Sequence, residues 1–243
     1  MLLKRISENE LEKKLTTMKN LDLLIKRYVL PERFILKHKK KWSVEQWLMI
    51  LQSGKFSESF LNKITMLFMD SKGKQDNKFN SHWFEISKNQ EVSENFILKY
   101  REHIHWQQVA EHQKLSEYFI KRYLNRLNIW GIIEGQELSI SLINFIIKHV
   151  KMDKECFPPH CMRMLFARLS VRCSFSEQFI EENENELNWM FVFRTQVLSR
   201  DFVINHISKL MNEENFDALI NNEKIEKEVL EEVTIVRKLL GAG

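Results

Sequence analysis

Residues 92–97 read Val-Ser-Glu-Asn-Phe-Ile, and residues 115–120 read Leu-Ser-Glu-Tyr-Phe-Ile. The pattern returns as Phe-Ser-Glu-Gln-Phe-Ile at 175–180 and as Leu-Ser-Arg-Asp-Phe-Val at 198–203. A separation of 23 positions holds between Ser93 and Ser116, between Ser116 and Ser139, and between Ser176 and Ser199. A constant period of this length is typical of proteins that stack one structural unit many times.

Two further anchors keep the same register as the serines. Ten positions before a serine lies a large apolar residue: Trp47, Trp83, Trp106, Ile129 and Trp189. Three positions before a serine lies a glutamine: Gln90, Gln113, Gln136 and Gln196. Because three anchors recur together, the pattern indicates a true internal repeat.

Each unit has the features of a helical hairpin. Serine followed by an acidic residue is a helix N-cap signature, and the apolar residue before it can pack on the first turn. The spacing predicts a first helix over 93–101 and a second that begins near His105. Neither helix is long enough to be stable alone, so neighbouring units must pack together. We therefore predict an all-α fold, a short α-solenoid of hairpins with a period of about 23 residues. Its buried aromatic rows are Phe96, Phe119, Phe179, Phe202, Trp83, Trp106 and Trp189.

The register extends over one predicted domain, residues 1–243. Its repeats are better defined over 81–150 and 153–221, more degenerate in the basic N-terminal segment, residues 1–56, and closed by a capping helix over 222–240. The extra residues of the Ser57 unit predict a solvated loop near 70–79. Asp153 follows Ser139 by only 14 positions, which predicts a lost or fused second helix. The predicted unit starts are Ser7, Pro31, Ser57, Ser93, Ser116, Ser139, Asp153, Ser176 and Ser199.

Residues 93–136 and 176–196 resemble short helical repeats found in many proteins of bacteriophages and large DNA viruses. The resemblance implies a helical-repeat fold and a viral or prophage origin. It implies no reaction and no catalytic residue.

The composition excludes several classes of protein. The 243 residues are 44% hydrophobic and 29% charged, with six glycines and three prolines, which excludes disorder and argues against an all-β chain. The most apolar stretch, 138–150, is too short and too polar to span a membrane. Three cysteines do not form a disulfide framework, so we expect a reducing, cytoplasmic location.

No sequence motif for catalysis or for a cofactor is present, and we expect no enzymatic activity. A zinc site is the alternative for the cysteine-rich segment, but its spacing suits core or turn cysteines better. The group consists of Cys156, His160, Cys161 and Cys173. We interpret His103, His105 and His112 as solvated helix residues.

The charges are unevenly distributed. Residues 1–42 carry twelve Lys and Arg against five Asp and Glu, whereas residues 177–232 carry five against fourteen. Ends of opposite charge suit head-to-tail self-association. A lysine cluster beside Trp42 indicates either a surface for nucleic acid or another acidic partner, or a solvated turn. The cluster is Lys37, Lys39, Lys40 and Lys41.

The leading hypothesis is a non-enzymatic phage or prophage protein that binds a host protein, such as one of host defence, and modulates or inhibits it. Nucleic-acid binding and self-assembly are the alternatives. Partner contacts are expected where the repeat is interrupted, because loops on a rigid scaffold often carry function. The two interruptions are residues 70–80, with Lys72, Lys74 and Lys78, and residues 151–161, with Phe157 and His160.

Overall fold

The computed structural model describes residues 3–17, 21–69, 77–152 and 159–241. Within these ranges helices alternate with short turns, and an isolated parallel β-bridge joins Lys4 and Tyr28. The prediction of an all-α protein is confirmed for the described residues. The chain divides into two compact units, an N-terminal unit, Met1–Glu137, and a C-terminal unit, Leu138–Gly243.

In the N-terminal unit two sets of helices alternate along the chain, and we call each successive pair a hairpin with a first and a second helix. In chain order they are α1 (Glu8–Thr17), α2 (Leu21–Arg27), α3 (Glu32–Lys37), α4 (Val44–Ser53), α5 (Glu58–Thr65), α6 (Asn80–Asn89), α7 (Glu94–Lys99), α8 (Trp106–His112), α9 (Glu117–Arg122) and α10 (Ile129–Gly135). The odd-numbered helices are the first helices of the hairpins and the even-numbered ones the second.

The C-terminal unit continues the alternation with helices of more varied length. They are α11 (Ile140–Met152), α12 (Pro159–Arg172), α13 (Glu177–Glu182), α14 (Trp189–Thr195), α15 (Arg200–Asn205), α16 (Glu213–Ile220) and α17 (Lys227–Leu239). Short 3-10 turns lie at Met66–Phe68, Asn77–Phe79 and Ile207–Met211.

The repeated serines start the first helices, as predicted. Each serine hydroxyl accepts a hydrogen bond from the backbone N–H of the phenylalanine three positions later, at 3.1–3.2 Å. This bond satisfies an N–H group that has no partner within its own helix. The serines concerned are Ser57, Ser93, Ser116, Ser176 and Ser199.

The first helices are shorter than predicted. α7 ends at Lys99 rather than at Arg101, because Tyr100 leaves the helical conformation at φ −110° and ψ 24°. The N–H of His103 then bonds the carbonyl of Tyr100 at 2.8 Å. This tight turn brings Ile104 into the core.

The predicted aromatic rows form the core, with one difference. Trp106 is only half-buried because it lies at the turn edge of its hairpin. Its indole N–H donates to the carbonyl of Arg101 at 2.9 Å, and its ring stacks on Phe119 at 6.4 Å. The six other predicted aromatics are buried: Phe96, Phe119, Phe179, Phe202, Trp83 and Trp189.

The single repeat that starts at Ser139 was predicted wrongly. Its second helix is neither lost nor fused, because α12 is a separate helix of 14 residues. The carbonyls of Ser170 and Cys173, at the end of α12, bind the Gln196 side chain in the way described below for other second helices. Both helices of this repeat are therefore present and long, and the predicted start at Asp153 lies outside the described residues.

The described end of the interruption in the Ser57 repeat, residues 77–80, is not a loop. Residues 77–79 form a 3-10 turn in which Phe79 is buried, and Asn80 already begins α6. Phe79 stacks on Phe68 at 4.7 Å, so this end of the insertion is packed against the core.

Candidate binding surface

Buried glutamines join the second helices of neighbouring hairpins. Gln113 donates from its amide nitrogen to the carbonyls of Ser87 and Gln90, at 2.8 and 2.7 Å. Its amide oxygen accepts the N–H of Val92 at 3.1 Å. The carbonyls at a helix C-terminus lack partners within the helix, and this single side chain satisfies two of them.

The same three bonds recur along both units. Each side chain donates to the carbonyls 26 and 23 positions earlier and accepts the N–H 21 positions earlier. This holds for Gln113, Gln136 and Gln196. For Gln90 the separations are 39, 36 and 34, longer by the 13-residue insertion. Asn222 takes the same place in the last hairpin, where it donates to the carbonyls of Phe193 and Gln196.

Glutamates join the first helices in a similar way. Several first helices begin with a glutamate whose carboxylate accepts the backbone N–H of the N-cap serine in the next hairpin. Glu58 binds Ser93 at 2.8 Å, and Glu94 binds Ser116 at 2.6 Å. The equivalent contacts join Glu32 to Ser57 and Glu177 to Ser199. The first helices are therefore held in one order, with equivalent positions next to each other.

This order lines up a row of cations in the N-terminal unit. The sixth residue of each first helix in this unit is basic, and all five side chains are exposed. We call this set the basic row: Lys13, Lys37, Lys63, Lys99 and Arg122. Packed helices lie about 8–10 Å apart, so the row extends over roughly 40 Å.

Side-chain contacts join two members of the row to the preceding first helix. Lys37 binds Glu12 of α1 at 2.6 Å, and Lys99 binds the side-chain oxygen of Asn62 of α5 at 2.6 Å. Glu12 and Asn62 are each the fifth residue of their helix. Among the described residues, no carboxylate lies within ion-pair distance of Lys63.

The predicted lysine cluster includes Lys37, the second member of this row, and continues into the turn after α3. Lys39, Lys40 and Lys41 are exposed, and no ion pair links them to another described residue. Trp42, the aromatic residue beside this cluster, is not accessible. Its ring is buried and its N–H donates to the carbonyl of Ile35 at 3.0 Å, so it cannot stack on a base.

Glu12 is the acidic side chain that contacts the lysine cluster. Hydrogen bonds from Lys37 and His38 lower the pKa of this carboxyl group below its ordinary value. The carboxylate is therefore charged at neutral pH and neutralises some of the charge of Lys37. Because this ion pair is exposed, it is weak and a phosphate could compete with it.

More cations flank the basic row, although carboxylates accompany them. Arg101 and Arg126 each approach Glu102 at 3.3 Å, so these two guanidinium groups share one carboxylate. Lys121 pairs with Glu117 of its own helix at 2.5 Å. Sequence reasoning missed these residues and most of the basic row, although the constant position of the row after each helix start could have revealed it.

The C-terminal unit does not repeat this chemistry. The sixth residues after Ser139, Ser176 and Ser199 are Phe145, Glu182 and Asn205. The N-terminal unit has 24 Lys and Arg against 17 Asp and Glu, and the C-terminal unit has 13 against 16. Favourable interaction with the helix dipole would call for a basic residue at the end of every first helix. It therefore does not explain why the cations are confined to one unit.

Of the other predicted contact residues, the structure describes Lys78 and His160. Lys72, Lys74 and Phe157 lie outside the described residues. The ammonium group of Lys78 lies over the Phe79 ring at 5.3 Å. His160 is exposed in the first turn of α12, in the other unit.

The described residues form no group of three or more potential metal ligands. Cys161 and Cys173 are half-buried free thiols, and Cys156 lies outside the described residues. Burial raises the pKa of the Cys173 thiol, which is therefore protonated at neutral pH. This favours the interpretation of Cys173 as a packing residue.

The clustered histidines have three different environments, two of which differ from the prediction. His103 stacks on Trp83 at 5.3 Å, and His105 packs edge-on against Phe84 at 5.5 Å, so both are half-buried. Only His112 is exposed, beside Glu111.

No protein-family model, curated protein or solved structure matches this chain. Within the described ranges, no helix has both the length and the apolar character needed to cross a membrane.

Proposed function

We propose that the chain is a non-enzymatic binding protein in which each unit is a short α-solenoid of helical hairpins with a period of about 23 residues. The recurring bonds of the glutamines and glutamates support this, because they join equivalent positions of successive hairpins. Such a scaffold has a rigid backbone and leaves the outward positions free to vary.

We further propose that the N-terminal unit binds the phosphate backbone of a nucleic acid along the basic row. The observation that carries this proposal is the alignment of five exposed cations at one position of five successive hairpins. Ammonium groups neutralise phosphates and release the counterions condensed on them, which is favourable and independent of base sequence.

The composition of the surface favours phosphate contacts over base recognition. Four of the five residues in the row are lysines, which act as point charges, and Trp42 is buried. Protein interfaces are usually centred on aromatic anchors in desolvated pockets, whereas phosphate contacts need only accessible cations. Binding should therefore depend strongly on salt and weakly on sequence.

The test is titration of a fluorescent DNA duplex with the full chain over a series of salt concentrations. If all five cations contact phosphates, the logarithm of the binding constant should fall against the logarithm of salt with a slope of about −4.5. Changing Lys63, Lys99 and Arg122 together to Ser should make that slope shallower by about 2.7.

A matched control distinguishes the effect of the basic row on binding from the effect of net charge alone. Lys55, Lys88 and Lys114 are also exposed, and they lie near the ends of the second helices rather than in the row. Their triple change to Ser removes the same charge and should alter the slope much less. Equal losses in the two triple variants, or no binding of DNA or RNA at low salt, would refute the proposal.

A protein partner is the second candidate, and the resemblance to phage repeats would make that partner a host protein. It is favoured by a groove of about 370 Å³ on the second helices α4 and α6. Leu48 and Phe84 line the groove and are half-buried. Capture of one host protein from a nuclease-treated lysate, lost when Phe84 is changed to Asp, would support this function instead.

A further inference from the structure

The last helix presents an apolar face to solvent. In α17, Val229, Val233 and Arg237 are buried on the inner face. On the opposite side Ile235 is 59% exposed and Leu239 is 81% exposed. Leu240, directly after the helix, is 56% exposed. Large aliphatic side chains this exposed on one helix suggest a contact with another surface.

Charged residues flank this apolar face in a definite order. Glu231 precedes Ile235 and Lys238 follows it on the same side of the helix, where all three are exposed. Seven residues separate the two charges, about 10.5 Å along the axis. Neither charge forms an ion pair with another described residue, whereas the neighbouring Glu232 binds Arg200 at 2.7 Å.

We propose that α17 binds α17 of a second copy of this chain in an antiparallel pair about a two-fold axis. This arrangement places Glu231 of each copy opposite Lys238 of the other and brings the two Ile235 side chains together at the centre. The charge pattern selects the direction, because a parallel pair would set acid against acid and base against base. The occupant is a second copy because the face is complementary to itself.

This contact differs from the head-to-tail association that the charged ends of the sequence predicted. A two-fold contact uses the same surface on both copies and closes at a dimer, whereas a head-to-tail contact can continue into rings or filaments. One helix face forms an interface below about 1,200 Å², so the dimer should be weak and dependent on concentration. The proposal does not depend on nucleic-acid binding.

The experiment is analytical ultracentrifugation of the full chain from about 10 μM to about 500 μM. We expect a monomer–dimer equilibrium with no larger species. Glu231→Lys should weaken the dimer by tenfold or more, since it creates two like-charge contacts, and Ile235→Asp should abolish it. Combining Glu231→Lys with Lys238→Glu should restore the dimer, because the reversed charges are again complementary.

Glu223→Lys is the matched control, because it makes the same change of charge at an exposed position before the helix. It should leave the equilibrium unchanged, and circular dichroism should show that each variant keeps its helicity. The proposal is overturned by a chain that stays monomeric throughout the range, by assembly beyond a dimer, or by a dimer that these α17 variants do not affect.

Discussion

Removal of one buried glutamine should destabilise the N-terminal unit far more than its size suggests. Gln113→Ala leaves the carbonyls of Ser87 and Gln90 and the N–H of Val92 without their partner. An unsatisfied buried polar group costs about 1–3 kcal/mol, so three groups at the lower end, with the loss of packing, give about 3–5 kcal/mol. This is a large share of the roughly 5–15 kcal/mol that ordinarily separates folded from unfolded protein.

The free energy of unfolding is measured by urea titration, followed by circular dichroism and by tryptophan fluorescence. Gln107 lies exposed on α8, the helix that ends just before Gln113, and Gln107→Ala should change stability by less than about 0.5 kcal/mol. Gln113→Glu is the sharper variant. It keeps an oxygen for the N–H of Val92 but sets a second oxygen against two carbonyls, so at neutral pH it should be at least as destabilising as the alanine. A cost below about 1 kcal/mol for both Gln113 variants would show that the glutamine does not join the hairpins energetically.

Two further perturbations test the packing of the same unit. A Cβ added at Gly135 would lie 2.0 Å from the carbonyl oxygen of Glu111, so Gly135→Ala should force α8 and α10 apart and cost about 3 kcal/mol or more. Gly54→Ala, where a Cβ meets nothing within 4 Å, should stay within about 0.5 kcal/mol in the same urea titration. Burial lowers the pKa of His82 from its ordinary value of 6.5, although its bond to the carbonyl of Val44 opposes the shift. Below pH 6.5 the unfolded chain therefore takes up a proton that the folded chain does not, and stability should fall as the pH drops towards the folded-state pKa. His82→Gln should lose less stability than the wild type between about pH 7.5 and about pH 5.5, and an equal loss would contradict the assignment.

Local chemistry made the helix starts predictable from the sequence. An N-cap serine and the N–H group it satisfies are three residues apart, so Ser93 and Ser116 could be assigned without knowledge of the rest of the fold. The glutamine positions were also recognised, but their role was not. The atoms that Gln113 binds belong to the end of the preceding hairpin and to the turn after it, 21 to 26 residues away, and only the packed structure brings them together.

The repeat spacing gave a wrong prediction at Ser139, because the hairpin there differs in length. α11 and α12 have 13 and 14 residues, against six or seven in the helices of the neighbouring hairpins α9–α10 and α13–α14. The separation from Ser139 to Ser176 fits one long hairpin. It fits equally well a shortened hairpin that is followed by a second one.

The basic row was missed for another reason. Exposed positions are not constrained by packing, so a repeated lysine has no hydrophobic pattern around it to mark it.

The glutamine contacts also have a direction, which matters while the chain is being synthesised. The carbonyls at the end of α6 have no side-chain partner until Gln113 is synthesised. Gln113 is 26 residues further along the chain than Ser87. At elongation rates of about 5–20 residues per second, that side chain follows roughly 1–5 s later. Each newly made hairpin therefore remains incomplete until the next one emerges from the ribosome, and the growing protein always has its least stable hairpin at its newest end.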